Sequence, residues 1–129
     1  MKIRYDFPKI EEEANKLAKE AAEKQLKLLQ EAGPAYEILD GNERVVDRLL
    51  DLCGDSYIEF KDKRNSFYKQ YKKYILETRK LPGWADVNSF SYVSSGCQEY
   101  SVNKAAAEAV YEYLTTNFDV NIKLKSYID

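Results

Sequence analysis

The sequence predicts an α+β protein: about three N-terminal helices followed by a small antiparallel or mixed sheet, in the order β-β-α-β, packed on helices. Two observations support this fold class. Apolar residues recur at spacings of three and four through most of residues 7–80, whereas residues 120–125 alternate between apolar and polar. At 129 residues the chain has the length of one domain. We therefore expect a single domain over 1–129, with a helical half (1–82) and a β-β-α-β half (86–129).

The first helix is predicted over residues 7–32, a length of about 39 Å at about 1.5 Å per residue. Asp6 is a good N-cap, and Gly33-Pro34 is a helix stop. The apolar stripe of this helix is rich in alanine and comprises Ile10, Ala14, Leu17, Ala21 and Leu28. This stripe either packs on the same domain or pairs with a second copy of the chain, so a homodimer through helix 7–32 stays open as an alternative.

Two more helices are predicted in the helical half. After a turn at Asp40-Gly41, Asn42 can cap a second helix that ends at Cys53 and Gly54. Ser56-x-x-Glu59 matches a capping box that opens the third helix, which a Leu81-Pro82-Gly83 stop ends. The residues expected to face the core from this third helix are Phe60, Phe67, Tyr71, Tyr74 and Ile75.

The C-terminal half is predicted to contain a hairpin, a helix and a final strand. It comprises strands over 89–93 and 97–102 around a Ser94-Ser95-Gly96 turn, a helix over 104–117 capped by Asn103, and a strand over 120–125. Because the last strand alternates, one face of the sheet is expected to be buried and the other to meet water. Trp84, which adjoins a Pro-Gly turn, is expected to cover the core rather than to bind a partner.

The composition excludes several classes of chemistry. The chain has no histidine, which removes Ser-His-Asp and Cys-His catalysis and His-ligated zinc. Cys53 and Cys97 are too few and too far apart for a structural zinc site, and they indicate reduced thiols. No apolar run approaches the ~20 residues of a membrane span, and the N-terminus lacks the apolar core of a signal peptide. We expect a cytoplasmic protein without a cofactor or metal ion.

Residues 56–80 carry the strongest functional signal. They contain eight Lys or Arg, three acids and six aromatic residues, a local net charge of +5 in a chain whose total is −2. The rest of the chain therefore carries −7. A segment so much more basic than its host predicts a charged surface with a partner. The residues expected to bind that partner are Lys61, Arg64, Tyr68, Lys69, Lys72, Lys73 and Lys80.

Three interpretations of this segment stay open. Its lysines can simply solvate the outer face of a packed helix. They can dock an acidic protein, with tyrosine as an interface anchor. They can also neutralise phosphates while Tyr68 stacks on a base. The acidic sequence pI of about 5.3 disfavours a dedicated duplex binder.

A second surface is expected on the hydroxyl-rich hairpin. Its side chains can bind a ligand or protein by adaptable hydrogen bonds, or form the wet face of a small sheet. The residues are Ser91, Tyr92, Ser94, Ser95, Gln98 and Tyr100.

Two weaker patterns were weighed for catalysis and metal binding. Cys97 follows a glycine turn, but no histidine is available to lower the pKa of its thiol. Asp47, Asp51 and Asp55 recur every fourth residue, yet the interleaved Arg44 and Arg48 favour surface ion pairs over a Mg²⁺ or Ca²⁺ site. We expect neither to be a functional site.

The sequence thus predicts a small, non-catalytic intracellular adaptor or inhibitor. Its basic helix face is expected to dock an acidic protein. The alternative from another class is a protein that binds nucleic acid or a nucleotide through the same face. A weaker alternative is a thiol enzyme that uses Cys97.

Overall fold

Three helices and five strands form the part of the chain that the computed structural model describes. It describes the backbone of residues 4–32, 36–39, 45–49, 54–93 and 100–128, and the side chains of 4–32, 54–93 and 100–128. The order is α1 (Phe7–Ala32), β1 (Tyr36–Leu39), β2 (Val45–Leu49), β3 (Gly54–Phe60), α2 (Ser66–Thr78), β4 (Ser89–Phe90), α3 (Tyr100–Asn117) and β5 (Ile122–Ile128).

The strands form two separate sheets. β1 and β2 pair as an antiparallel hairpin with a register shift between Ile38 and Leu39. The second sheet has the order β4-β3-β5, and β3 is antiparallel to both neighbours. Ile58 of β3 lies opposite Phe90 on one side and Leu124 on the other. Strands from both predicted halves of the sequence therefore meet in this sheet.

The bounds of the first helix are as predicted, but of its predicted stripe only Ile10 and Ala14 are buried, whereas Leu17 and Ala21 are half-buried and Leu28 is exposed. The helix spans Phe7–Ala32, and the backbone N–H of Lys9 donates to the Asp6 carboxylate at 3.3 Å, as expected for an N-cap. The buried stripe recurs at spacings of three and four and comprises Phe7, Ile10, Ala14, Ala18 and Ala22. Because α1 packs against α3, this stripe faces the chain's own core. The homodimer through helix 7–32 stays a prediction, and it would have to use another face of α1.

Aromatic rings join the helices and the sheet into one core. The Phe7 ring lies 5.3 Å from that of Phe67 in α2, and Tyr71 in α2 lies 5.0 Å from Phe90 in β4. α3 packs on β3 and β5. Along β3, alternate residues from Gly54 to Phe60 are buried, while the intervening residues are more exposed. The prediction that one sheet face is buried is confirmed.

The predicted second helix is wrong where the structure describes it, and so is the first part of the predicted third helix, whose later part is α2. Residues 45–49 are strand β2, so the stripe of carboxylates expected around Asp47 is not built on a helix. Ser56 and Glu59 lie in strand β3, so they do not form a capping box. The predicted Asp40-Gly41 turn and the Asn42 cap lie outside the described residues.

The predicted hairpin in the C-terminal half is also wrong where the structure describes it, and its Ser94-Ser95-Gly96 turn lies outside the described residues. Only Ser89–Phe90 of its first strand is paired, and Tyr100–Val102 of its second strand is the first turn of α3. Asn103 lies inside α3, where it donates a buried hydrogen bond of 2.8 Å to the Gly54 carbonyl instead of capping a helix. The α+β class itself is confirmed, as are the end of α3 at Asn117 and a final strand, β5.

A basic surface along helix α2

Helix α2 begins nine residues later than the sequence pattern predicts, with its N-cap at Asn65 instead of Ser56. Asn65 is its N-cap, and the Asn65 side-chain oxygen accepts hydrogen bonds from the backbone N–H groups of Phe67 at 2.9 Å and Tyr68 at 3.3 Å. The loop of residues 61–65 between β3 and α2 contains Lys61, Lys63 and Arg64 of the basic segment. The structure therefore places the basic segment on a loop and a helix, not on one continuous helix.

The two sides of α2 differ sharply in chemistry. Phe67, Tyr71 and Ile75 are buried, as predicted. Lys69 and Lys73 are exposed on the opposite side. Because the aromatic side fixes the helix on the core, the outer lysines are displayed from a rigid element.

We define the basic surface as Lys69, Lys72 and Lys73, which lie at spacings of three and four on one turn of α2. Lys72 is half-buried, and the other two are exposed. Among the described residues, none of these three ammonium groups has a carboxylate within 4.0 Å. Their charges are thus left for solvent or for a partner.

Two other cations of the segment are paired. The Lys63 ammonium lies 3.0 Å from the Asp86 carboxylate, and Arg64 Nε lies 3.2 Å from that of Asp62. The backbone N–H of Arg64, followed by its side chain, lowers the pKa of Asp62, and Lys69 adds to the effect. The hydrogen bond from Lys63 chiefly lowers the pKa of Asp86. Arg64 therefore adjoins the basic surface, but a carboxylate offsets its charge.

The structure contradicts the prediction that Tyr68 lies on the outer face. Tyr68 is only 3% exposed, and its ring packs edge-on against Phe60 at 5.1 Å. Its hydroxyl has no hydrogen-bond partner within the part of the chain that the structure describes. Tyr68 is a core residue, so its ring is not available to stack on a base or to anchor a partner.

Lys80 lies just beyond the C-terminus of α2 in a left-handed conformation, with φ 53°. The backbone N–H of Leu81 donates to the Leu76 carbonyl at 2.9 Å, the six-to-one bond of a Schellman motif. Glycine is the usual residue at this position, because a side chain there is strained. Lys80 is exposed at this helix end.

The prediction that Trp84 covers the core is wrong. Trp84 is 87% exposed, and Leu81 is 41% exposed. The Ala85 N–H donates to the Pro82 carbonyl at 2.9 Å, which closes a tight turn and places Trp84 near its tip. We name residues 81–85 the tryptophan turn. It is an apolar projection directly after the basic helix.

The tryptophan turn runs back beside the basic surface. It starts at Leu81, which is hydrogen-bonded to the last turn of α2. Just after it, Asp86 is paired with Lys63 on the loop before α2, and the charge of Lys72 acts on the Asp86 carboxyl. Trp84 therefore lies on the stretch of chain that passes from the end of α2 back towards the loop before it.

Other predicted basic residues occupy separate positions. Lys61 follows β3, and its backbone N–H donates to the Asn121 carbonyl at 2.9 Å, next to the start of β5. Lys73 also borders an open cleft of about 500 Å³ between α2 and the N-terminal segment, which Arg4 and Tyr74 line as well. Lys73 therefore connects the basic surface to this cleft, whereas Lys61 belongs to the sheet end.

The described members of the second predicted surface, Ser91, Tyr92 and Tyr100, take part in packing. The Ser91 N–H donates to the Tyr71 hydroxyl at 2.9 Å, and the Tyr92 hydroxyl donates to the Ser56 carbonyl at 3.2 Å. Tyr100 is half-buried against Gly54. The other predicted members and the cysteines lie outside the described residues: Ser94, Ser95, Gln98, Cys53 and Cys97.

The described residues contain no group of three or more acidic or cysteine residues placed to hold a metal ion. None of their helices is long and apolar enough to cross a membrane.

Comparisons with protein-family models, curated proteins and solved structures find no match for this chain. Sequence reasoning located the basic surface but missed the tryptophan turn. The available signal was the Leu81-Pro82-Gly83-Trp84 turn itself, which brings two apolar side chains next to Lys80.

Proposed function

We propose that this chain is a non-catalytic binding protein, an adaptor or inhibitor, whose basic surface docks an acidic region of a protein partner. The observation that supports the proposal is the unpaired state of Lys69, Lys72 and Lys73 within the described structure, on a helix whose other side is anchored in the core. Neighbouring cations that already have carboxylate partners, such as Lys63, do not compete for the same role.

The charge of such a surface favours oppositely charged partners. Clustered like charges raise the rate of encounter with an oppositely charged partner and disfavour partners of the same sign. Because one side of α2 is buried in the core, binding through its other side would cost little conformational entropy. A partner that presents several Asp or Glu side chains at helical spacing would complement the three lysines.

Nucleic-acid binding through the same surface is the alternative. Burial of Tyr68 removes the aromatic residue that was expected to stack on a base. This burial favours a protein partner over a nucleic acid.

Capture of partners from native extract, with and without nuclease, distinguishes the two. The tagged full-length chain is the bait, bound proteins are identified by mass spectrometry, and bound nucleic acid is measured by absorbance. We expect one acidic protein to be recovered in stoichiometric amount after nuclease treatment. Recovery that disappears with nuclease would assign the basic surface to phosphate binding instead.

A triple charge reversal links the captured protein to the basic surface. The variant Lys69→Glu/Lys72→Glu/Lys73→Glu should lose the captured protein, because the reversed side chains repel an acidic partner. These side chains are exposed or half-buried, so the fold should survive, which circular dichroism checks. Undiminished capture by this variant would overturn the proposed function.

A further inference from the structure

We infer that the tryptophan turn is the apolar anchor of this interface, and that the partner is an acidic protein with an apolar pocket that receives the Trp84 side chain. The inference rests on the proposed function and deepens it. It assigns a binding role to Trp84 and Leu81, which the basic surface alone does not include.

The exposure of Trp84 is the first argument. Tryptophan is the largest apolar side chain and is highly buried on average, yet this ring is 87% exposed at the tip of a hydrogen-bonded turn. It is the only tryptophan of the chain. An exposed tryptophan on a short, closed turn loses little conformational entropy on binding, and tryptophan is enriched among the residues that dominate binding energy.

Backbone strain at the base of the turn is the second argument. Lys80 adopts φ 53°, which costs a residue with a side chain about 1 kcal/mol that glycine would not lose. The strained conformation directs the chain from α2 into the tryptophan turn, and the residue retained there is a cation. Strained positions of this kind cluster at functional sites.

The charges around the tryptophan turn favour an acidic protein as the partner. The turn is flanked by exposed Arg79 and Lys80 at one end and by the Lys63–Asp86 ion pair at the other. An apolar centre with a charged rim is the usual anatomy of a protein interface. An acidic rim around an apolar pocket on the partner would complement it.

An anionic membrane fits the same surface less well. The apolar side of α2 is buried in the core, so the helix cannot insert an amphipathic face into lipid. Leu81 and Trp84 are the two large apolar side chains that the turn exposes, fewer than the apolar face of a membrane-binding helix provides.

The test compares Trp84→Ala, Trp84→Phe and the triple charge reversal as baits in nuclease-treated extract cleared of membranes. Leu28→Ala is the matched control, because Leu28 is an exposed apolar residue on α1. We expect Trp84→Ala to lower recovery of the captured acidic protein at least about tenfold, Trp84→Phe to retain part of it, and Leu28→Ala to leave it unchanged.

A direct readout accompanies the capture. Because Trp84 is the single tryptophan, labelling with 5-fluorotryptophan gives one ¹⁹F resonance that reports on this position alone. Adding the purified captured protein should shift and broaden the resonance and remove its solvent isotope effect, as expected when the ring enters a dry pocket. Phosphatidylserine vesicles should leave the resonance unchanged.

Each other outcome is decisive. If Trp84→Ala captures as well as wild type while the triple reversal does not, the anchor is overturned and the proposed function stands. If both capture as well as wild type, both proposals fall. A resonance that responds to the vesicles and not to the captured protein would replace the protein partner with a membrane surface.

Discussion

At the scale of single residues, buried polar groups decide how the helices meet the sheet. Asn103 is buried in α3 and donates to the Gly54 carbonyl of β3, which ties the helix to the strand. Gly54 itself has no room for a side chain, because a Cβ atom there would lie 2.5 Å from the Tyr127 carbonyl oxygen of β5. A residue that resembles a helix stop in the sequence is thus a point of close approach between strands.

Tyr68 carries the clearest prediction at this scale. Its buried hydroxyl lacks a hydrogen-bond partner among the described residues, so Tyr68→Phe should leave stability unchanged or raise it by up to about 1 kcal/mol. Urea denaturation measures the change, and capture of the partner should equal that of wild type. A loss of more than about 1 kcal/mol would show that the hydroxyl is hydrogen-bonded, and a loss of capture would return Tyr68 to the binding surface.

Tyr92 predicts a loss of stability in alkaline solution. Burial, together with the nearby Asp55 carboxylate, raises the pKa of Tyr92 to about 12 from the ordinary value of 10.0. The folded state therefore favours the protonated phenol. The stability that this provides is complete below pH 10, the unfolded value, and is lost as the pH rises through about 12.

Urea midpoints between about pH 9 and about pH 12 measure this loss. The Tyr92→Phe variant cannot ionise at this position, so its midpoint should fall less steeply over the same range. Burial also raises the pKa of Tyr71 and of Tyr113, so the variant should retain part of the slope. Equal slopes for wild type and variant would contradict the assignment to Tyr92.

At the scale of elements, the end of α2 stores strain that a substitution can release. Lys80→Gly should raise stability by up to about 1 kcal/mol, because glycine adopts φ 53° without a steric penalty. Lys80→Ala is the matched control, since it removes the same charge and keeps the strain. Thermal unfolding should rank glycine above alanine. Equal stability of the two variants would show that the conformation of Lys80 is not strained.

Local patterns predicted the elements that depend on local interactions. Helix α1 follows from the Asp6 cap and the recurring apolar stripe, and β5 follows from strict alternation. The region of β2 and β3 was mispredicted because Val45, Val46 and Leu49 also fit a helical spacing, and Ser56 and Glu59 fit a capping box. β3 is a strand because it pairs with β5, about seventy residues away, and a local sequence pattern does not reveal such distant pairing.

The candidate site was also predictable only in part, because composition is a local property whereas burial depends on distant elements. The charge excess of residues 56–80 is a property of composition, so Lys69, Lys72 and Lys73 were found without a structure. Whether a ring is covered depends on elements that are distant in the sequence. Tyr68 is covered by Phe60 of β3, while the turn around Trp84 is left open, and neither outcome follows from helical spacing.

At the scale of the whole molecule, the net charge of −2 is the sum of +5 on residues 56–80 and −7 on the rest of the chain. The basic surface and the tryptophan turn lie on the same stretch of chain, residues 69–85, and the chain after the turn returns to the loop before α2 through the Lys63–Asp86 ion pair. The aromatic core that joins α1, α2 and the sheet holds this stretch in place. We therefore predict that residues 69–85 form one continuous docking surface, which the aromatic core holds in place.

The most direct test measures the affinity of the captured partner for two charge-reversed variants with equal formal charge. One is Lys69→Glu/Lys72→Glu/Lys73→Glu, and the control is Lys16→Glu/Lys19→Glu/Lys27→Glu, which reverses three exposed lysines of α1. We expect the first to weaken binding at least about tenfold and the control to change it less than about twofold, because only the first alters the contact surface. Equal weakening would mean that net charge alone governs binding, and unchanged affinity of the α2 variant would place the partner elsewhere on the molecule.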